Sequence, residues 1–258
     1  MLWHNDICMI GSKLIPGEKH FRWRAGEITR LEGFTDAVFA FAVTLLVVSL
    51  EVPKTYVELM NAMKGFVAFA ICFAILVWVW YHHYIYSRRY GLQTGYAIFL
   101  NSVLLFVVLF YVYPLKFLFS LFIGSLTDGR LATSHIEDVI QMPQVPALMV
   151  IYSLGFAAVF GVFALLYNYA YSKRKELDLN DYESVVTRHM IIGHTGTTVL
   201  GLIVGLTALL LPVRYSGLSG YLYFLIGVYH TIVGTIFGKK EKLALERLQA
   251  ETDKTSNA

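Results

Sequence analysis

Six apolar runs, each long enough to cross a lipid bilayer, constrain this chain more than any other feature. They fall at about 34–52, 58–86, 93–123, 146–172, 189–212 and 217–238 of its 258 residues. A spanning helix takes about 20 mostly apolar residues. In hydrocarbon every backbone N–H and C=O needs an internal partner, so such runs are helices. Short alternating segments would suggest a membrane barrel, and the sequence has none. The expectation is an all-α membrane protein with six transmembrane helices. Composition agrees, since only 15% of the residues are charged, against about 25% in soluble domains.

Basic residues set the orientation. Sixteen of the 21 Lys and Arg residues fall in the N-terminal arm, the loops after the second and fourth runs, and the C-terminal tail. Lys54, Arg130 and Arg214 are the three on the opposite side. Basic loops stay cytoplasmic, so both termini are expected in the cytoplasm and the chain in the cytoplasmic membrane. Three regions follow: a cytoplasmic or interfacial arm (1–33), a six-helix domain (34–238) and a charged tail (239–258). Trp3, Phe21 and Trp23 interleave with Lys13, Lys19, Arg22 and Arg24, a mixture suited to the headgroup layer. Leu2 to Ile10 is too short and polar for a signal-peptide core. The outer loop 124–145 reads as a connector. A net charge of +3 gives no argument for a nucleic-acid partner. Cys8 and Cys72 make no disulfide framework, and no cofactor or metal is expected.

The first run differs from the others. It begins with Arg30 and includes Asp36. Lipid tolerates neither, so both must face protein or water. At about 100° per residue, Phe41, Leu45 and Val48 make an apolar stripe with Thr44 at its edge, and Thr35 and Asp36 lie toward the far side. One face can line an ion path while the other enters the bundle. Spacing alone is also met by an ordinary packed helix with a Thr-Asp cap.

The second run ends in Trp78, Trp80, Tyr81, His82, His83 and Tyr84, and the third contributes Asn101. Trp78 and His82 share a helical face. Asp36, His82 and Asn101 should lie at similar depth, which permits a hydrogen-bonded cluster across three helices with Arg30 paired to Asp36; a buried carboxylate needs such partners. The later runs read as scaffold. Gly201-x-x-x-Gly205 invites close helix contact, Gly220, Gly227 and Gly234 repeat every seven residues, and His194 with Thr195, Thr197 and Thr198 suits hydrogen bonds between helices.

Arg30-x-x-x-Phe34-Thr35-Asp36 resembles the arginine, three residues, Phe-Ser-Asp signature of the transmembrane-protein-175 family of potassium channels. The rest of the first run, through Pro53, resembles that family's first helix. The Trp78/His82-His83 group resembles its second, and Asn101 through Pro114 its third. The resemblance implies a homotetramer with four copies of the first helix around the axis. It implies Phe41, Leu45 and Val48 as constricting rings and Thr44 as a hydroxyl ring, with potassium as the permeant ion. Arg30, Thr35, Asp36, Trp78, His82 and Asn101 would hold the helix in register, with His83 as the alternative to His82. Thr35 replaces the usual Ser, and Phe41 stands where Ile or Leu is usual. No Thr-Val-Gly-Tyr-Gly filter is present; Thr94-Gly95-Tyr96 is a partial echo.

The expected function is a modestly potassium-selective cation channel, with partners limited to further copies, lipids and monovalent cations. The rival is a proton- or ion-coupled secondary transporter using Asp36 and His82 or His83 as a relay, which discontinuous helices or inverted repeats would favour. An enzyme is not expected, because the histidines match no metal or haem ligand spacing.

Overall fold

A computed structural model describes residues 20–48, 53–127 and 140–256, with Val48, Asn61, Tyr113 and residues 251–256 described in their backbone alone. Trp3, Cys8, Lys13 and Lys19, the centre of the outer loop and the Val48 side chain therefore lie outside the described residues. Among the described residues all regular structure is helical. The helices are α1 (Arg30–Val48), α2 (Tyr56–Lys64), α3 (Phe66–Tyr90), α4 (Gly95–Leu126), α5 (Val145–Ser172), α6 (Asp181–Leu210) and α7 (Phe224–Ser256). Tight 3-10 turns at Met142–Gln144 and Val213–Tyr223 precede α5 and α7. Five helices, α3 to α7, are long and apolar enough to cross a membrane.

Several boundaries depart from the apolar runs, each for a local reason. The run at 58–86 is not one helix. Gly65 separates α2 from α3, and glycine is a poor helix former where the axis changes direction. Thr55 caps α2 by accepting the Glu58 N–H at 3.2 Å. α6 starts eight residues before the apolar edge at 189, because Asn180 and Glu183 form a reciprocal capping box that satisfies two otherwise orphaned N–H groups. α4 runs through Pro114, and the Pro114 carbonyl accepts from the Tyr152 hydroxyl on α5. The last run opens as a 3-10 stretch, and α7 then continues past residue 239 without a break.

The helices form two groups. α1 packs on α3 and α4; α5, α6 and α7 pack together; the α4–α5 contact joins the groups. Leu46, Tyr86, Tyr90, Leu104, Phe163, Leu166 and Tyr167 fill the centre. The α5–α6 seam is the most extensive. A Cβ on Gly201 would stand 2.9 Å from Phe156, and one on Gly205 3.1 Å from the Ser153 Cβ. Small residues thus let these helices approach closely. Gly227 and Gly234 on α7 face open space within the chain, so the expected smooth face is not packed here.

Candidate functional site

Thr29 starts α1 by accepting the Glu32 N–H at 3.1 Å. From there the helix has two unlike faces. Glu32, Thr35, Phe39, Ala42 and Leu46 are buried, while Phe34, Ala37, Phe41 and Thr44 are exposed. Both sets step by three and four residues, so they are opposite stripes of one helix. The buried stripe is the one fixed by its own chain.

Contacts with α3 and α4 do the fixing. Trp80 Nε1 donates to Asp36 Oδ1 at 2.8 Å. The His83 Nε2–Asn101 Oδ1 hydrogen bond is 2.6 Å and buried, and Asn101 Nδ2 donates to the Ala97 carbonyl at 2.7 Å. The Phe39 ring lies 6.4 Å from His83. Glu32, 3% exposed, pairs with Arg88 at 3.2 Å. Its second oxygen, Oε2, and Tyr86 Oη have no hydrogen bond among the described residues, and both residues line one small cavity.

The expected cluster changes membership. Trp78 and His82 point away from α1. Their rings are 4.3 Å apart, and they pack on Phe160 at 5.7 Å, Phe163 at 6.1 Å and His194 at 5.8 Å. Residues 78 and 82 share one face of α3, and residues two and one further on lie well round the helix. So Trp80 and His83 occupy the places expected of Trp78 and His82. Thr35 is buried, but its hydroxyl donates to the Leu31 carbonyl at 2.8 Å and not to another helix. Arg30 is exposed and forms no ion pair with Asp36 among the described residues. Thr94 of the filter-like echo is the N-cap of α4, and Tyr96 packs edge-on against Tyr169.

On the open stripe, Phe41 is 55% exposed. Thr44 Oγ1 donates its proton to the Ala40 carbonyl at 3.0 Å, leaving its lone pairs directed outward. Leu45, expected in the stripe, is half-buried and leans on the core. The centre of the open face therefore runs Phe34–Ala37–Phe41–Thr44.

Three long-range contacts were invisible in the sequence: Glu32 with Arg88, and both Arg22 and Arg24 with Glu183. The segment before α1 crosses the base of the bundle. Arg22 Nη2 and Arg24 Nη2 reach Glu183 Oε2 at 3.0 and 2.7 Å, and the Arg22 N–H donates to Glu183 Oε1 at 2.8 Å. Phe21 is buried beneath Tyr90 and the Arg89 guanidinium. The only hint was an arm rich in Arg and aromatics.

The polar patch on α6 is also rearranged. Thr197 shares a 2.8 Å hydrogen bond with His230 on α7. His194 instead stacks on Phe163 and Tyr167, both at 5.3 Å, with no hydrogen bond to either ring nitrogen among the described residues.

An all-helical bundle with five membrane-length apolar helices and no grouping of His, Cys, Asp and Glu fit for a metal among the described residues defines the class: a multi-span membrane protein. The family model described as endosomal/lysosomal potassium channel TMEM175 matches residues 30–111, which span α1 through the first half of α4. A relative named potassium channel from Marivirga tractuosa is 40% identical over 88% of this chain and 94% of its own length. A potassium channel of Chamaesiphon minutus is 33% identical over 34% of this chain and 47% of its own length. Among solved structures, the potassium channel MtTMEM175, crystallised as a threonine-to-alanine variant with a nanobody–MBP fusion protein, is 38% identical with a TM-score of 0.78, covering 87% of this chain and all of that one. This chain belongs to the TMEM175 family of potassium channels. It is an ion-transport protein and not an enzyme.

Proposed function

We propose that the chain is a modestly potassium-selective cation channel that works as a homotetramer, with four copies of α1 around a central axis. α1 is then the sixth span, both termini are cytoplasmic and the membrane is the cytoplasmic one. The observation that carries this reading is the open stripe Phe34–Ala37–Phe41–Thr44. Among the described residues nothing covers it, and the rest of the helix is held through Asp36 to Trp80 and Glu32 to Arg88. A carboxylate and a histidine tied to Trp80 and Asn101 hold a helix in register; they do not favour a relay.

Four Phe41 side chains form the constriction, with Leu45 at its flank and the Val48 position beyond. Apolar rings discriminate by the dehydration they demand of a passing ion and can close by dewetting. Thr44 adds a ring of oxygen lone pairs one turn away. Thr35, Asp36, Trp80, His83 and Asn101 seat α1 against α3 and α4. Arg30 stands at the cytoplasmic mouth. Monovalent cations permeate, and no cofactor takes part.

Planar-bilayer recording of the purified protein tests this. Potassium should carry unitary currents, and Phe41→Ala should raise conductance several-fold. Thr44→Ala should shift the reversal potential toward the nonselective value. Slow, saturating flux without unitary events would point to a transporter and reject the pore.

A further inference from the structure

At the base of α5 and α6, two guanidinium groups converge on one tyrosine. The Arg174 guanidinium carbon lies 4.8 Å from the Tyr171 ring centre, and that of Arg188 lies 4.9 Å from the same ring. Arg188 Nε donates to Tyr171 Oη at 2.6 Å, and Arg174 Nη1 to the Tyr171 carbonyl at 3.3 Å. Both arginines are exposed, and among the described residues neither has a carboxylate partner. At most about 10 Å separates the two groups.

The neighbouring charges explain why they are left uncompensated. Lys173, Arg174, Lys175 and Arg188 share this turn with Glu176, Asp178, Asp181 and Glu183, which would balance. But Glu176 is held by Lys173 at 2.7 Å. Asp178 is taken by Arg22 at 3.1 Å, and Glu183 by Arg22 and Arg24. The docked arm brings two further cations and occupies two of the four carboxylates. Six cations then face four anions, and Arg174 and Arg188, with the exposed Lys175, are left without a carboxylate among the described residues. Tyr171 is in the last turn of α5, and Arg188 immediately precedes the apolar run at 189, so the group lies at the depth of lipid headgroups.

We propose that Arg174, Arg188 and Tyr171 form a binding site for an anionic phospholipid headgroup. Guanidinium forks match the two free oxygens of a phosphodiester. The tyrosine holds both forks in place before the lipid arrives, which lowers the ordering cost of binding. A zwitterionic headgroup brings its own ammonium and gains less.

Native mass spectrometry of the full-length protein, incubated with phosphatidylglycerol or phosphatidylcholine, reads the site directly. Wild type should retain phosphatidylglycerol about tenfold more strongly, a difference that Arg174→Ala/Arg188→Ala abolishes and Lys239→Ala/Lys240→Ala leaves intact. Arg188→Gln alone, at an exposed position, should lower the preference at least threefold and serves if the double variant does not fold. An unchanged preference in either arginine variant overturns the proposal. So does an equal loss in the lysine variant, which would mean diffuse charge. Displacement of the lipid by millimolar inorganic phosphate would assign the site to soluble phosphate and also overturns it.

Discussion

Glu183 shows how much one side chain can determine at the residue scale. It is fully buried, completes the capping box of α6 and receives both arm arginines. Burial pushes its carboxyl pKa up, but hydrogen bonds from Arg22 and Arg24 and from the backbone at Arg22 and Asn180 outweigh that and hold it below the ordinary carboxylate value. Glu183 stands in the first turn of α6, six residues before the apolar run at 189 and so outside the run read as spanning. A group whose folded pKa is depressed contributes stability above its unfolded pKa of about 4.3 and loses it as pH falls through the folded value. The melting temperature in detergent, followed by tryptophan fluorescence, should therefore be flat near neutrality and drop on acidification below the ordinary carboxylate range. Glu183→Gln should flatten that acid limb and lower stability at pH 7 by about 3 kcal/mol, the low end for breaking a buried pair because Arg22 is half exposed. Residue-level pairing was the least legible part of the sequence. Trp78, Trp80, His82 and His83 crowd six positions, so a small error in helical phase exchanges one pair for the other. Glu32 and Arg88 are 56 positions apart in sequence, and no local pattern links them.

At the scale of elements, one joint occurs twice. Tyr111 of α4 donates to the Ile151 carbonyl at 3.0 Å, passing over Gly155 four residues on. Tyr229 of α7 donates to the Ile192 carbonyl at 2.6 Å, passing over Gly196, again four on. A Cβ on Gly155 would stand 2.0 Å from the Tyr111 ring, and one on Gly196 2.1 Å from the Tyr229 ring. Each glycine lets a ring lie flat across a helix so that its hydroxyl reaches a backbone carbonyl. Gly155→Ala and Gly196→Ala should each displace the ring and destabilise by about 1–3 kcal/mol, the usual cost of overpacking. Tyr111→Phe and Tyr229→Phe, which keep the ring, should cost only about 1 kcal/mol, as expected for one hydrogen bond. Thermal unfolding in detergent separates the two cases, and equal losses would show that the hydroxyl and not the glycine matters. The helices themselves were readable because long apolar runs leave few alternatives in a membrane. Their ends were less so. Gly65 and the Asn180–Glu183 box are short polar signals, and hydropathy averages over them. The seam at Gly201 and Gly205 could be read from its spacing, whereas the same argument failed for Gly227 and Gly234, which meet no partner among the described residues.

For the molecule as a whole, the position of α1 is decided at its N-terminal base. Its upper part meets its own bundle through Phe39, Ala42 and Leu46, while its lower end is tied twice. Glu32 holds it to α3 through Arg88. The preceding segment binds α3 through the Arg24 N–H to the Arg88 carbonyl, at 3.1 Å, and α6 through Glu183. The two helical groups are thus joined by the α4–α5 contact, by side chains of α3 packed on α5 and α6, and by the arm beneath α1. Permeation and gating should separate along this division. Phe41 faces the proposed path, so changing it alters how fast each open channel conducts. Arg22 and Arg24 touch no part of that path, yet they set where the base of α1 sits relative to α6. Arg22→Ala/Arg24→Ala should leave unitary conductance and reversal potential at wild-type values while changing open probability several-fold. Single-channel recording reads these quantities from the same trace. A change in conductance or ion preference without a change in open probability would place the arm in the permeation path and not in control of the helix that lines it.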